Sequence, residues 1–357
     1  MSGDVQIAAV DLFCGVGGLT HGLTQAGVDV RLGIDLDPAC RFPMEANNAA
    51  KFLEADVSEL MPSDILSAFS DSDITLMAGC APCQPFSSYS QSARKNGPHE
   101  DWELLSSFSK LVLSVRPRLV TMENVPPLRK QQIFKDFVAD LHGAGYYVDF
   151  SVVDGRDIGL PQRRQRLVLV ASLLGPIAIP EAAKPQVTVR DIISELPEIA
   201  AGSADPDDPL HASASLSEKN LQRIRHSKPG GTWRDWPDHL VAACHSKASG
   251  STYPSVYGRM EWDQPAPTMT TQCYGFGNGR FGHPDQDRAI SLREAAMLQS
   301  FPKDYEFIPN DVRVNFNTLG RMIGNAVPVM LGEFIGELLV EHVKLQAELD
   351  REVPQAE

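Results

Sequence analysis

Ile7-Ala-Ala-Val-Asp-Leu-Phe-Cys-Gly-Val-Gly-Gly18 is the stretch whose reading decides the fold. An apolar run, Ile7–Val10, leads into Asp11-Leu-Phe13. A glycine turn, Gly15-Val-Gly-Gly18, then precedes a helix expected from about Leu19. Glycines there let a ligand approach the backbone and the helix N-terminus closely. Outward from this stretch, short β-rich runs alternate with helical ones. Val30–Ile34 ends at Asp35, Phe52-Leu53 runs to Asp56, Ile74–Met77 ends at Ala78-Gly79, and Leu119–Met122 ends at Glu123. This alternation predicts an open, mostly parallel α/β sheet with helices on both faces. Tyr146–Val153 and Leu167–Ala171 read as an antiparallel pair. Ligands of such sheets gather at the carboxyl ends of the strands.

The texture changes near residue 175. Pro176, Pro180 and Pro185 introduce Ala/Ser/Asp/Pro-rich sequence, and the stretch to about 285 has little helical periodicity. It is expected to form a second, smaller, loop-rich domain. Helical character resumes at Leu292, and Val329–Leu349 reads as a terminal amphipathic helix. At 357 residues the chain fits two domains, taking ~100–200 residues for each. No apolar run is expected to reach the ~20 residues of a membrane helix. Met1–Gln6 is polar and no basic residue precedes Arg31, unlike a secretory signal.

Six cysteines are too few for a disulfide scaffold, and Cys80-Ala-Pro-Cys83 lacks the second pair that a zinc site wants. No metal is expected. A net charge of −14 argues against nonspecific nucleic-acid binding, though not against a local basic cleft. Lys219, Arg223, Arg225, Lys228 and Arg234 form such a cluster with no acid among them.

Asp35 follows Gly15 by 20 residues, at a strand end where a carboxylate can accept from ribose hydroxyls. Asp56 could take an adenine amino group. The position of a third fingerprint glycine holds Thr20. The turn suits either a nicotinamide nucleotide or S-adenosylmethionine. Pro82-Cys83-Gln84-Pro85 places a cysteine at a strand end between prolines that fix the backbone, which suits an exposed nucleophile. Glu123 ends the neighbouring strand over the same crevice. Gln162-Arg-Arg-Gln-Arg166 adds fixed positive charge.

Taken in order, these motifs resemble the DNA (cytosine-5)-methyltransferases. The resemblance runs through Asp11–Gly18, Gly33-Ile-Asp-Leu-Asp37, Ala55-Asp-Val57, Pro82–Gln84, Glu123-Asn-Val125 and Gln162–Arg166. It closes with Ser291-Leu-Arg-Glu-Ala295, Leu298-Gln-Ser-Phe-Pro302 and Gly324-Asn-Ala-Val327, and spares only about 190–265. It implies a Rossmann-like, S-adenosylmethionine-dependent methyltransferase. Residues 1–185 and 320–357 would form the catalytic and cofactor domain, and 186–319 the target-recognition domain with its hinge. Cys83 would add to cytosine C6, Glu123 would hold the N3 and amino edge, Arg166 would sit at O2, and Arg164 would support the pocket. No histidine lies close to Cys83 in sequence, so Arg164, Arg166 and the sulfonium are the candidate sources of its activation.

For the cofactor, the resemblance assigns Phe13, Gly15, Gly17 and Gly18 to the methionine and adenine sides and Asp35 to the ribose. It assigns Leu36, Asp56 and Val57 to the adenine, and brings in Pro82, Leu104 and Asn325. Asp101-Trp-Glu103 departs from the family pattern before Leu104. Toward DNA it assigns Gln84 and Thr268. The Ser/Gly/Lys-rich segment with Ser87, Arg94 and Lys95 suits a loop that closes over DNA. Arg225, Lys228 and Arg234 are expected at phosphates or bases.

The substrate would be a cytosine flipped from a specific double-stranded DNA sequence. The protein is expected to be a monomer in the prokaryotic cytoplasm, at the nucleoid, alongside a cognate restriction endonuclease. Three alternatives are a tRNA cytosine-5 methylase, a nicotinamide oxidoreductase and a silent DNA binder. The last two leave Pro82-Cys-Gln84 and Glu123 without a purpose.

Overall fold

A computed structural model describes residues 6–69, 74–82, 100–245, 247, 250, 252–309 and 311–352. The strands are β1 (Ile7–Leu12), β2 (Asp29–Asp35), β3 (Lys51–Glu54), β4 (Ile74–Gly79), β5 (Leu119–Asn124), β6 (Tyr147–Asp154), β7 (Gln162–Arg163), β8 (Gln165–Ser172) and β9 (Ala266–Pro267). The helices are α1 (Gly18–Gln25), α2 (Arg41–Asn47), α3 (Pro62–Leu66), α4 (Glu100–Val115), α5 (Gln132–Gly143), α6 (Val189–Ile193), α7 (Glu218–His226), α8 (Leu292–Leu298), α9 (Phe316–Asn325) and α10 (Val329–Glu352).

Contacts divide the chain into two units. The first comprises Met1–Asp154, Gln165–Ala183 and Val327–Glu357, and the second Gly155–Arg164 and Lys184–Ala326. Segments 155–164, 184–185 and 320–326, expected with the first, go with the second. The physical reason for 155–164 is that β7 pairs with β9 in a separate two-stranded ribbon.

The first unit is a seven-stranded sheet in the order β3-β2-β1-β4-β5-β8-β6. β1 to β5 are mutually parallel, and β8 is antiparallel to both β5 and β6. β1 and β5 are buried at every residue. That suits central strands covered on both faces, and it explains why they read as continuous apolar runs rather than alternating ones. The strand order reverses at β1, so β2 and β4 leave the switch point on opposite sides. Gly15 (φ 53°) and Gly17 (φ 84°, the residue preceding α1) adopt the left-handed conformation that glycine permits. Gly22 has a different purpose: a Cβ there would lie 2.1 Å from the Val329 carbonyl oxygen, so its absence lets α1 pack on α10.

The second unit carries little regular structure among its described residues. Its apolar core gathers Ile224, Trp233, Trp236, Leu240, Phe276 and Ala289. Buried arginines do much of the remaining work. Arg259, 5% exposed, donates to the carbonyls of Ile224, Ser227, His283 and Gln286 and to the Asp287 carboxylate. Arg288 binds Glu294 bidentately, with both contacts at 2.7 Å. Burial alone would raise the Glu294 pKa, but Arg288 overrides it and holds the carboxyl below its usual range. Glu294 and Ser291 also form the capping box of α8.

One expectation is corrected here. The helical stretch Phe316–Arg351 is long and apolar enough to cross a membrane by length and composition, but 67% of its apolar window is buried within the protein.

Candidate active site

The strand ends of the first unit converge on Glu123, the penultimate residue of β5 and 3% exposed. Arg166, on the adjacent β8, brings Nε within 2.7 Å of Glu123 Oε1. The pair is a close contact of charges without the alignment of a hydrogen bond. The Cys80 thiol donates to Glu123 Oε2 at 2.9 Å. One carboxylate is thus held from both sides by groups from two neighbouring strand ends.

The turn after β4 is fixed as firmly. The Cys80 amide donates to the Leu12 carbonyl at 3.3 Å, and Asn124 Nδ2 donates to the Ala81 carbonyl at 2.9 Å. Asn124 Oδ1 accepts from the Val125 amide at 2.8 Å. Three strand ends, those of β1, β4 and β5, are therefore stitched together immediately before Pro82. Cys83, Gln84, Ser87, Arg94 and Lys95 lie outside the described residues.

Gln162–Arg166 is divided between the units. Arg166 serves Glu123 in the first. In the second, Gln162 is fully buried, donates to Leu298 O and Gln299 Oε1, and accepts from the Met269 amide. Arg164, 3% exposed, donates to the carbonyls of Met269, Gly324 and Ala326 at 3.0, 3.3 and 3.2 Å. Its two terminal guanidinium nitrogens thus tie the chain just after β7 to the backbone at 269 and 324–326.

On the other side of β1, Asp35 accepts from the Gly15 amide (2.9 Å, Oδ2) and from the Asp37 amide (2.9 Å, Oδ1). The carboxylate that ends β2 thus fixes the glycine turn after β1. Leu36 beside it is 65% exposed, a large apolar side chain facing solvent. Phe13, at φ 60°, shares the turn. Asp56 follows β3, and the hydroxyl and amide of Ser58 hold its carboxyl below the ordinary range. Val57 is buried, Leu104 is half-buried on α4, and Pro82 is exposed. Gly18 is the buried first residue of α1. Asn325 is an exposed residue at the end of α9 in the second unit.

Sequence reasoning gave Asp11 no role of its own. It is fully buried, accepts from Thr20 Oγ1 at 2.7 Å, and among the described residues leaves Oδ1 without a hydrogen bond. Burial, reinforced by Asp35 against the Thr20 hydrogen bond, pushes its pKa up to about 7. The signal available in sequence was an acid inside an otherwise apolar strand.

In the second unit, Thr268 donates to the Arg163 carbonyl beside the β7–β9 ribbon. The basic cluster separates by environment. Arg223 is buried, donates to the Leu240 carbonyl, and stacks over Trp236 and Tyr257, so it belongs to the core rather than to a DNA surface. Arg225 is exposed but pairs with Asp287 at 3.3 Å. Lys228 and Arg234 are exposed, and Arg234 lies over Trp233.

The family model described as C-5 cytosine-specific DNA methylase matches residues 7–341. The chain is 49% identical to the Type II methylase M.HgiDII of Herpetosiphon aurantiacus, over 92% of this chain and 94% of that one. It is 28% identical to the Type II methyltransferase M.Sau96I of Staphylococcus aureus, over 93% and 75% respectively. Among solved structures, a prophage-encoded DNA modification methyltransferase of E. coli superposes with a TM-score of 0.73 at 23% identity, covering 95% of this chain and 99% of that one. That last likeness speaks to the fold alone.

Proposed function

Since the chain belongs to the C-5 cytosine-specific DNA methylase family, we propose that it methylates C5 of a cytosine flipped out of a specific double-stranded DNA sequence, through a covalent bond from Cys83 to C6. The observation that carries this reading is the Glu123 carboxylate, buried between Arg166 and the turn that leads into Cys83. C5 of cytosine is a poor nucleophile. Addition of the Cys83 thiolate to C6 moves the ring's electron pair to C5. Glu123 offsets the charge that develops on the base by holding a proton at the N3 and amino edge, and Arg166 serves O2. The electron pair at C5 would form the new carbon–carbon bond with the donor's methyl, the carbon–sulfur bond breaking with its electrons left on sulfur. Loss of the C5 proton then restores the double bond as Cys83 leaves C6.

The methyl donor is S-adenosylmethionine, which supplies an electrophilic methyl on a sulfonium. The residues at the ends of β1, β2 and β3 fit it. Asp35 and Asp56 offer carboxylates to hydroxyl and amino groups, and Leu36 offers an exposed aliphatic face to a base. Asp11, at the end of β1, keeps a buried carboxyl oxygen with no hydrogen bond among the described residues. Phe13, Gly15, Gly17, Gly18, Val57, Pro82, Leu104 and Asn325 complete the cofactor residues. Gln84, Ser87, Arg94, Lys95, Arg225, Lys228, Arg234 and Thr268 meet DNA. We further propose that the protein works as a monomer in a bacterial cytoplasm; its likeness to proteins named Type II methylases supports a part in protecting host DNA from a cognate endonuclease.

Duplex DNA carrying 5-fluorocytosine at the target tests the mechanism. Thiolate addition and methyl transfer can proceed on that base, but fluorine cannot leave as a cation. A denaturation-resistant adduct that needs S-adenosylmethionine and maps to Cys83 is expected. No adduct, or one formed with tRNA and not with DNA, would overturn the reading.

A further inference from the structure

Cys80 lies three residues before Cys83, ends no strand and was assigned no chemistry from sequence. We propose that it is a positioning residue for the methyl transfer, whose thiol holds Glu123 in the orientation that the base requires. The inference rests on the reading of Glu123 given above.

Its geometry differs from that of a packed thiol. Cys80 Sγ is 2.9 Å from Glu123 Oε2, opposite the oxygen that faces Arg166. The Cys80 backbone is itself fixed, because its amide donates to the Leu12 carbonyl and the next carbonyl, that of Ala81, accepts from Asn124. The thiol is therefore delivered to the carboxylate by a turn that cannot drift. Burial, with the Glu123 carboxylate adding to it, pushes the Cys80 thiol well above its ordinary pKa. It stays a proton donor near neutral pH and does not compete with Cys83 as a thiolate nucleophile.

The arrangement has a chemical consequence. A carboxylate pulled from one side only, by Arg166, would be free to rotate toward the guanidinium. A donor on the second oxygen sets the plane of the group, and that plane decides which edge of a base it can meet. Cys80 thus couples the nucleophile turn to the base-binding acid through one proton.

The test compares Cys80→Ala, which removes the donor, with Cys80→Ser, which keeps one. In Cys80→Ala, kcat should fall about tenfold, the worth of one hydrogen bond to a charged group, with the KM for S-adenosylmethionine unchanged. Cys80→Ser should restore the rate. Combined with Glu123→Gln, Cys80→Ala should cost nothing further, because the thiol would act only through the carboxylate. A Cys80→Ser variant as slow as Cys80→Ala, or a further loss when Cys80→Ala is added to Glu123→Gln, would overturn the proposal and leave the sulfur a packing element. If Glu123→Gln is crippled while Cys80→Ala matches the parent, this inference alone fails. If Glu123→Gln itself is fully active, the reading of the site fails with it.

Discussion

In the first unit, Glu123 is fixed because it ends a strand buried between two others, and its neighbours are the ends of those strands. In the second, Thr268, Arg225 and Lys228 sit on chain with few regular elements. There the backbone is fixed by side chains: Arg164 clasps three carbonyls, and Arg259 four carbonyls and a carboxylate. The contrast shows two ways of satisfying buried backbone groups. A sheet satisfies them with its own ladder, whereas irregular chain needs charged side chains brought in from elsewhere. A ladder constrains the sequence along every strand. A clasp constrains one arginine and leaves the loops around it free to vary.

The sharpest way to break this comparison is at the sheet. Glu123→Gln keeps the shape and removes the carboxylate, so methyl transfer should fall ~10²–10⁴-fold with S-adenosylmethionine binding and melting temperature retained. Steady-state kinetics beside calorimetry would check it. A matching loss of fold would mean that the carboxylate holds the sheet together rather than the chemistry.

At the clasp, Arg259→Met should do the reverse. Removing one partner from a buried, charge-assisted network costs about 3–5 kcal/mol, and the other groups are left unpaired. Protease sensitivity should rise within 184–326, and DNA binding should fall before cofactor binding does. Uniform cleavage of both units would erase the distinction drawn here.

A smaller effect concerns Asp11. Its pKa, raised from 3.8 to about 7, means that the fold holds a proton which the unfolded chain releases earlier. That contribution is fully present below about pH 4 and is lost as pH rises through 7. Asp11→Asn lacks it. The melting temperature of the ligand-free variant, relative to the parent, should therefore climb between about pH 5 and pH 8. A constant difference across that range would show that Asp11 is already ionised.

The smallest expected change is at the surface of the second unit. Lys228→Ala should weaken DNA binding equally for all sequences and lower the salt slope by about one. Titration at several salt concentrations would reveal it. A change in the methylated sequence would instead make Lys228 a base reader.

The sheet and the glycine turn were legible in sequence because both are local. Buried parallel strands read as apolar runs, and Gly15 and Gly17 stand where the left-handed conformation is needed. Glu123 could be placed over the crevice because a strand end is a position along the chain. The same locality explains which partners the sequence could not reveal. Arg223 and Arg225 look alike as neighbours in a basic cluster, yet one is buried against Trp236 and the other pairs with Asp287. Helix periodicity turned one inward, and a residue 62 positions away claimed the other.

By itself, then, the sequence determined the order of the strands along the chain, the glycine turn, the acid that ends β5, and the family. Tertiary structure alone decided the partners. Gln162 meets Gln299 across 137 residues and Cys80 meets Glu123 across 43. It also decided that Arg164 and Arg166, two residues apart, serve different units. The reason is physical: propensity and spacing act over a few residues, whereas the partner of a buried polar group is set by which distant strand or loop the completed fold brings beside it.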